Sequence, residues 1–398
     1  MRQFVPALAT LTIAAVAAAC ASSAAGPLPH VPSGFTIQRI ANVPDARELA
    51  IAPNGDLIVG TGGTNVYLIQ HADADGNAGA PRVFVSLPEA PAAGVALGGA
   101  LLFVGTQFGV YRMPYSTGDT SPRSPAVKIA TVRPSRIVGA HRTTTVAYVD
   151  GTLYASVGSS CNACNPEVDD TRATIQHIDV ATKQMSPEAI RIRNAVALTI
   201  NPGTSTLWAG VAGVDDLPVG LPYEIFDGVT LHHAIVDYGW PSCYNKRLEN
   251  PAWPGSCSNV AVPRVIFPAY QTPIGAVFYP VNARGKYLFP ERYRGGAFVT
   301  LHGSWHGPAQ GLSGYLPPRV VFVAMDGDEP VTQVNWKDPN AQWSEFVGGY
   351  QRRGTSDRIG RPTGIAVGPH GSLFIADDLS GSIYRVRPSH YSAVTLKK

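Results

Sequence analysis

Charge is scarce in this sequence, and neither sign forms a run. Of the 398 residues, 31 are Lys or Arg and 28 are Asp or Glu, and the formal net charge of +3 is spread along the chain. A protein that binds nucleic acid usually concentrates Lys and Arg on one face or in one segment. The composition therefore argues against a nucleic-acid partner.

The short motifs of several common enzyme classes are also absent. The chain has no G-x-S-x-G nucleophile elbow, no phosphate-binding P-loop, no H-E-x-x-H zinc motif and no C-x-x-C-H haem-attachment motif. These absences argue against an α/β-hydrolase, a P-loop nucleotidase, a zincin protease and a c-type cytochrome. No long amphipathic helical pattern is evident either, so a helical fold is not expected.

The one long apolar run lies at the N-terminus, from Phe4 to Ala19. It is short for a membrane span and follows a basic residue, which is typical of a secretory signal. Residues 1–19 are predicted to be a lipoprotein-type signal peptide with Cys20 lipidated, although cleavage without lipid stays open. Either route predicts an extracytoplasmic protein, periplasmic or anchored to the outer membrane, with secretion as the alternative. Residues 20–33, rich in Ala, Ser and Pro, are predicted to form a flexible tether.

Because the protein is predicted to be exported, the other four cysteines are expected to form disulfides. Oxidising compartments favour disulfides, and the expected pairs are Cys161–Cys164 and Cys243–Cys257. Four cysteines allow three pairings, so the sequence leaves the connectivity open. A zinc site built from all four is a poorly spaced alternative.

Glycine and proline are plentiful, with 41 and 34 residues, and they punctuate a repeat of short apolar strands and tight turns. Repeats of this kind are the sequence signature of a β-propeller. We therefore predict an all-β fold, a single six-bladed β-propeller over residues 34–388, followed by a C-terminal tail over residues 389–398. The strand that starts at Phe35 is expected to close the ring with the last blade. The six copies begin at Glu48, Gly94, Thr143, Ala195, Pro273 and Pro362.

A long insertion, about residues 215–272, separates the fourth repeat from the fifth. It is rich in Pro, Gly and aromatic residues, and a loop of this length inside a compact domain is usually functional. A Cys243–Cys257 disulfide would staple it, which fits a lid over the propeller mouth.

Scattered polar residues stand at the ends of the predicted strands, where a propeller would gather them at one mouth. A neutral histidine can accept a proton from a substrate hydroxyl, arginines can bind an anionic cofactor, and tryptophan can cover its ring. Each residue alone is more simply explained as a contact between blades, but together they indicate a site. They are His141, Arg193, Asn194, Asp215, Asp216, His302, Trp305, His306 and Arg361.

Several long segments also resemble a known family. In order, they are GAHRTTTVAYVDGTLYASVGSSCNAC, IRNAVALTINPGTSTLW, DYGWPSCYN, TPIGAVFYP, YRGGAFVTLHGSW and GRPTGIAVGPHGSLFIADD. With them the chain resembles the soluble glucose/sorbosone dehydrogenases that depend on pyrroloquinoline quinone (PQQ), especially the sorbosone branch. That family is a six-bladed propeller, in agreement with the repeat count.

The resemblance implies a function and a role for each candidate residue. His141 would be the general base that deprotonates a sugar, sugar aldehyde or polyol while hydride passes to the quinone. Because the chain has no haem motif, electrons would pass to a separate acceptor. The implied contacts with PQQ are Arg193, Asn194, Arg361, Trp305 and His302, and the implied Ca²⁺ ligands are Gly213, Val214 and Asp215.

The sequence also departs from the family pattern. Ala212-Gly213-Val214 stands where the sorbosone branch carries Asn-Glu-Arg, and Ser159-Ser160 stands where the glucose branch has a carboxylate that orients the base. Each lost polar contact to a charged cofactor would cost about 1–3 kcal/mol. Two alternatives therefore stay open: a non-catalytic propeller that binds a partner at the envelope and, less favoured, a calcium-dependent lactonase-type hydrolase.

Overall fold

A computed structural model describes residues 26–133, 141–231 and 234–390. The predicted signal peptide, Cys20 and all but the first two residues of the predicted tail lie outside these ranges, so those predictions are not examined by the structure. Within the same ranges, no helix is long and apolar enough to cross a membrane.

Short antiparallel strands make up almost all of the regular structure, as the alternation of apolar residues and turns predicts. Two 3₁₀ turns, Glu291–Tyr293 and Pro308–Gln310, complete the described elements. The first strands are β1 (Phe35–Asn42), β2 (Ala46–Ile51), β3 (Leu57–Thr61), β4 (Asn65–Ile69), β5 (Arg82–Ser86), β6 (Gly94–Gly98), β7 (Leu101–Thr106), β8 (Gly109–Pro114), β9 (Val127–Thr131), β10 (Thr144–Val149), β11 (Thr152–Val157), β12 (Thr174–Ile178) and β13 (Met185–Ile190). The others are β14 (Ala195–Asn201), β15 (Thr206–Val211), β16 (Glu224–Val229), β17 (Val236–Asp237), β18 (Cys243–Tyr244), β19 (Leu248–Glu249), β20 (Val265–Phe267), β21 (Pro273–Phe278), β22 (Ala297–Leu301), β23 (Arg319–Val323), β24 (Met325–Asp326), β25 (Glu329–Pro330), β26 (Trp343–Val347), β27 (Pro362–Val367), β28 (Leu373–Asp377) and β29 (Ser382–Pro388).

The strands form six blades around a ring, which confirms the six-bladed propeller. Blades 1 to 6 are β2–β5, β6–β9, β10–β13, β14–β16 with β20, β21–β23 with β26, and β27–β29 with β1. The first strand of each blade lies at the centre and packs against the first strands of both neighbouring blades. All six central strands run in the same direction, because each blade repeats the same antiparallel order.

The N-terminal strand closes the ring, as the sequence predicts. Strand β1 pairs antiparallel with β29, from Phe35 opposite Pro388 to Asn42 opposite Ser382. The Phe35 ring also packs edge-on against Phe289, with 4.7 Å between ring centroids, inside an aromatic core shared by blades 5 and 6. Burying such a ring contributes about 1.5–3 kcal/mol, so closure rests on apolar contact as well as on the strand ladder.

Glycines allow the central strands to approach closely. A side chain on Gly94 would overlap the carbonyl oxygen of Thr144 in the next blade, and one on Gly275 would overlap that of Thr363. Only glycine leaves room for the backbone of a neighbouring blade at these positions. The glycines that recur in the sequence repeat therefore mark contacts between blades.

The structure shows which parts of the long insertion belong to a blade and which lie outside it. It contains β16, a third strand of blade 4 that the repeat pattern does not reveal, and residues 230–264 then extend outside that blade. Within this segment Cys243 and Cys257 form a disulfide with 5.8 Å between Cα atoms, which confirms the predicted staple. Strand β17 pairs with β13 of blade 3, so the insertion bridges the outer edges of blades 3 and 4 rather than covering the mouth.

One carboxylate joins blades 4 and 5 at the face opposite the mouth. Asp328 accepts hydrogen bonds from Asn201, Thr204, Thr206 and the indole Nε1 of Trp208, at 2.6–3.1 Å. The Trp208 side chain is fully buried. Loss of this carboxylate would leave a buried indole N–H without its acceptor.

We expect Asp328→Ala to lower the free energy of unfolding by about 2–4 kcal/mol, because several donors lose one shared acceptor. Urea unfolding followed by fluorescence measures the change. Asp326→Ala, an exposed carboxylate in the same hairpin, is the control and should change stability by less than about 0.5 kcal/mol. Equal effects of the two variants would contradict the role given to Asp328.

Candidate functional site

The candidate site lies at the mouth where the central strands begin. Residues that immediately precede these strands point to one face because the six strands run in the same direction. His141 precedes β10, Arg193 and Asn194 precede β14, and Arg361 precedes β27. A recess of about 500 Å³ opens at this mouth between blades 1, 2, 3 and 6, and its lining includes Asp45, Arg47, Thr143, Arg361 and Asp378.

His141 is held by the main chain and side chain of one serine. Its Nδ1 lies 3.1 Å from the carbonyl oxygen of Ser159 and 3.0 Å from the Ser159 Oγ. A carbonyl oxygen can only accept, and the Ser159 hydroxyl already donates to the carbonyl of Cys161 at 2.6 Å. The hydrogen therefore sits on Nδ1, and Nε2 carries the free lone pair. Among the described residues, Nε2 has no hydrogen-bond partner.

The histidine is neutral over the whole physiological range. Burial and the nearby positive charges of Arg193 and Arg172 lower the pKa of His141 to about 3, although the hydrogen bond with Ser159 acts in the opposite direction. A neutral imidazole is the form that can accept a proton. No carboxylate contacts it within the described chain, as the serines at positions 159 and 160 imply.

A glycine brings the candidate base and a candidate cofactor contact together. A Cβ atom on Gly158 would lie 2.5 Å from both the His141 Cβ and the Asn194 Oδ1. The main chain joins the same elements, since Ser159 N donates to the Arg193 carbonyl at 2.8 Å and His141 N donates to the Ser159 carbonyl at 3.2 Å. The loops of blades 3 and 4 therefore form one continuous wall.

Arg193 is buried and engaged on every side. Its Nη2 donates to the Asp215 carboxylate at 3.1 Å and to the Asn162 Oδ1 at 2.8 Å. Its Nε donates to the Asn162 carbonyl at 3.0 Å, and its Nη1 donates to the Ala212 carbonyl at 3.2 Å. Only 7% of the residue is exposed, and this burial lowers the pKa of the guanidinium despite the charge of Asp215. The group nevertheless stays protonated, because arginine starts from a very high pKa.

The three predicted calcium ligands lie beside Arg193, on the loop that follows β15. Gly213 N donates to the fully buried carboxylate of Glu224 at 2.8 Å, and burial raises the pKa of Glu224 to about 7. Val214 is buried against Trp240. Asp215 is the one carboxylate of the predicted set, and its Oδ2 accepts from Arg193. A divalent cation would have to share this carboxylate with the guanidinium.

A second charged cluster occupies the opposite side of the mouth. His302 lies with Nε2 3.1 Å from both carboxylate oxygens of Asp378, and Arg47 donates to the same carboxylate at 3.0 Å. Arg361 donates to the His302 carbonyl at 3.2 Å. Burial lowers the pKa of His302 to about 4 in spite of the carboxylate, since Arg361 and Arg47 add positive charge nearby. His302 is therefore a neutral donor to Asp378.

Trp305 projects from the rim between these clusters. It is 60% exposed, and its indole lies 3.9 Å from the His306 ring, which in turn stacks on Tyr270 at 4.1 Å. The His306 Nε2 is 3.9 Å from Asp215. The tryptophan thus offers an exposed aromatic face near the ion pair of the buried Arg193 and the half-buried Asp215.

The structure brings the predicted residues into two groups at one mouth. His141, Asn194, Arg193 and Asp215 form the wall of blades 3 and 4, and His302 with Arg361 forms the side of blades 5 and 6. Sequence reasoning did not identify the residues that hold these groups in place, because they are distant in the chain or belong to no motif. These partners are Arg47, Asn162, Ser159, Glu224 and Asp378. Arg47 directly precedes the first repeat copy, which begins at Glu48, and this position is the one signal that could have revealed it.

The cysteines form two disulfides, as expected. Cys161 and Cys164 are bonded to each other, with 6.2 Å between Cα atoms, in the loop that follows β11. Because both pairs are oxidised, the zinc alternative built from all four thiolates is wrong. Glu167 lies close to the Cys161–Cys164 pair, but disulfide sulfurs are not thiolate ligands.

Comparison with known proteins agrees with the fold. A family model described as TrAA12-like matches residues 236–389. The calcium structure of a family AA12 carbohydrate-active enzyme from Trichoderma reesei is 19% identical, with a TM-score of 0.74 over 91% of this chain and 98% of that one. The holo PQQ domain of pyranose dehydrogenase from Coprinopsis cinerea is 17% identical, with a TM-score of 0.73 over 90% of this chain and 97% of that one.

A curated relative aligns with a smaller part of the chain. An uncharacterized protein of Borreliella burgdorferi is 26% identical over 238 residues, which is 59% of this chain and 56% of the relative's length. The match thus spans little more than half of that protein. Together, the comparisons confirm at the level of the fold the resemblance to PQQ-dependent sugar dehydrogenases.

The environment of His141 predicts how its ring titrates in the protein without ligand. Because its pKa is about 3, we expect the His141 ring signals to stay constant between pH 8 and pH 5 in a histidine NMR titration. An unperturbed histidine would titrate with a midpoint near 6.5. His141→Gln assigns the signals, and a midpoint above 6 for His141 would contradict the site electrostatics described here.

Proposed function

We propose that this protein is an exported oxidoreductase that uses PQQ to oxidise a sugar, a sugar aldehyde or a polyol. The observation that carries the proposal is the pairing of a neutral His141, with Nε2 free, and the Arg193-Asn194 dipeptide across Gly158. The likeness in fold to a carbohydrate-active enzyme and to the PQQ domain of a pyranose dehydrogenase supports it. The two disulfides fit an oxidising compartment.

The mouth has the chemistry that PQQ requires. PQQ is a planar tricarboxylate, and its bound form supplies a quinone that accepts two electrons. Arg47 and Arg361 on one side and Arg193 on the other are the cations that would bind its carboxylates, and Trp305 presents an aromatic face to a planar ring. Gly213, Val214 and Asp215 would supply only oxygen ligands, the type that Ca²⁺ prefers.

The protein's own contribution to the reaction would be proton transfer and orientation. With its hydrogen fixed on Nδ1 by Ser159, His141 presents Nε2 to accept the proton of a substrate hydroxyl as hydride leaves the adjacent carbon. The resulting imidazolium would lie near Arg193 without a carboxylate partner, so the anionic charge of the bound cofactor would have to offset this repulsion. Because the substrate gives up two electrons, repeated turnover would need a separate electron acceptor.

One observation favours the alternative function, a non-catalytic binding module. Arg193 and Asp215 already neutralise each other, and three of the four hydrogen-bonding contacts of the guanidinium are to neutral oxygens of the protein. An anion would therefore have to compete with an existing ion pair. Cofactor binding decides between the two functions.

Titration of the metal-stripped protein with PQQ, with and without Ca²⁺, is the direct test. We expect a saturable rise in melting temperature and a change in quinone absorbance, stronger with Ca²⁺. Arg47→Ala should raise the Kd about 10- to 100-fold, because one charge-assisted contact is lost. Arg123→Ala, an exposed arginine on the opposite face, should leave the Kd unchanged. No shift at high micromolar PQQ would favour the binding module.

Turnover tests the role of His141. With a sugar panel and an artificial electron acceptor, His141→Gln should lower kcat by about 10²- to 10⁴-fold, because a positioned general base is lost. Its Kd for PQQ should stay within a few-fold of the wild type. Unchanged turnover in the variant would show that another group accepts the proton.

A further inference from the structure

We infer that the turn closed by the Cys161–Cys164 disulfide positions the proposed site, with Asn162 as the residue that fixes Arg193 and Asp215 in place. We call residues 161–164 the disulfide turn. The inference deepens the proposed function and rests on it, since the fixed groups are those that would meet the cofactor. It concerns orientation and does not assign Asn162 a contact with the reacting atoms.

Asn162 is the common acceptor of the wall formed by blades 3 and 4. Its carbonyl oxygen accepts from the Arg193 Nε and from the Trp240 indole Nε1, both at 3.0 Å. Its side-chain Oδ1 accepts from the Arg193 Nη2 at 2.8 Å and from the Asp215 main-chain N–H at 2.9 Å. One residue thus joins three segments that are far apart in the chain.

The same turn also orients the candidate base. The hydroxyl of Ser159 donates to the Cys161 carbonyl, which leaves the Ser159 Oγ as an acceptor toward His141. The Ser159 main-chain carbonyl already requires the hydrogen on the His141 Nδ1, and the Cys161 carbonyl turns the Ser159 Oγ into a second acceptor for the same N–H. A carboxylate performs this task in many histidine sites, and here a serine anchored to the disulfide turn takes its place.

The disulfide supplies the rigidity that this arrangement needs. Only two residues separate Cys161 and Cys164, so the covalent bond restricts the main chain of Asn162 directly. Trp240 and Val214 pack against both cysteines and close the turn from the outside. Without the bond, the short loop would gain conformations in which the Asn162 oxygens no longer meet their donors.

The arrangement suits an arginine that must bind an anion. Neutral oxygens of Asn162 hold two nitrogens of the Arg193 guanidinium, so the plane of the group stays fixed without a second carboxylate that would cancel its charge. A preorganised guanidinium loses less freedom when a ligand binds. Asp215 can then exchange its partner while Arg193 keeps its orientation.

Hydrogen exchange of the Asp215 amide tests the positioning without any cofactor. Asn162→Ala removes only the side-chain acceptor, and we expect the Asp215 amide to exchange at least about fivefold faster. Asn162→Asp keeps an acceptor oxygen and should restore the rate to within about twofold of the wild type. Asn250→Ala removes a buried asparagine with two side-chain hydrogen bonds in the insertion, and should leave the Asp215 amide unchanged.

PQQ affinity tests whether the positioning serves the site. We expect Asn162→Ala to raise the Kd for PQQ about tenfold, whereas Asn250→Ala should leave it within about twofold. Unchanged exchange at Asp215 would overturn the inference, and so would faster exchange with unchanged affinity. If the wild-type protein binds no PQQ, the proposed function fails, and the exchange comparison alone then decides whether Asn162 fixes Asp215.

The covalent bond is tested with a matched pair of disulfide variants. Cys161→Ser with Cys164→Ser should speed exchange at Asp215 and weaken PQQ binding to at least the extent of Asn162→Ala. Cys243→Ser with Cys257→Ser removes the other disulfide and should speed exchange in residues 241–260 instead. Equal exchange at Asp215 in the two variants would show that the disulfide turn has no special role.

Discussion

Closure of the ring is the constraint on which the site depends. All six blades contribute to the mouth, and its second charged cluster joins Arg47 of blade 1 to Asp378, directly after β28 in blade 6. These residues are 331 positions apart in the chain. They meet because β1 pairs with β29 and brings the first blade beside the last. The pairing of β1 with β29 therefore brings the charged groups of the mouth together and also stabilises the fold.

Most of the titratable groups described at the mouth are neutral or paired, and Arg361 differs because its guanidinium donates to the His302 carbonyl. His141 and His302 are both neutral because burial and neighbouring arginines disfavour their charged forms. Arg193 is offset by Asp215, and Arg47 by Asp378. The protein therefore presents to a ligand a set of oriented donors, the Arg361 guanidinium and the free Nε2 of His141. Preorganised donors of this kind stabilise developing charge without reorganising at the moment of reaction.

Much of the architecture could be predicted from the repeat. Six copies of a strand pattern indicated six blades, the Phe35 strand was expected to close the ring, and export indicated two disulfides. Blade 4 shows the limit of this reasoning, because its third strand, Glu224–Val229, lies between loops and lacks the spacing of the other copies. The insertion likewise follows the outer edges of two blades, since its short strand β17 finds a partner in β13.

The sequence by itself determined the propeller and the residues that stand at strand ends, because short-range patterns of apolar residues and turns specify strands and their direction. It made two disulfides the expectation, and the structure decided which cysteines pair. Only the tertiary structure decided what the residues at strand ends contact. The tautomer of His141 depends on Ser159, and the orientation of Arg193 depends on Asn162, 31 residues away. The first set of contacts joins the two ends of a hairpin in blade 3, and the second joins loops of blades 3 and 4 that meet at the mouth. The local pattern of apolar residues and turns encodes neither set of contacts.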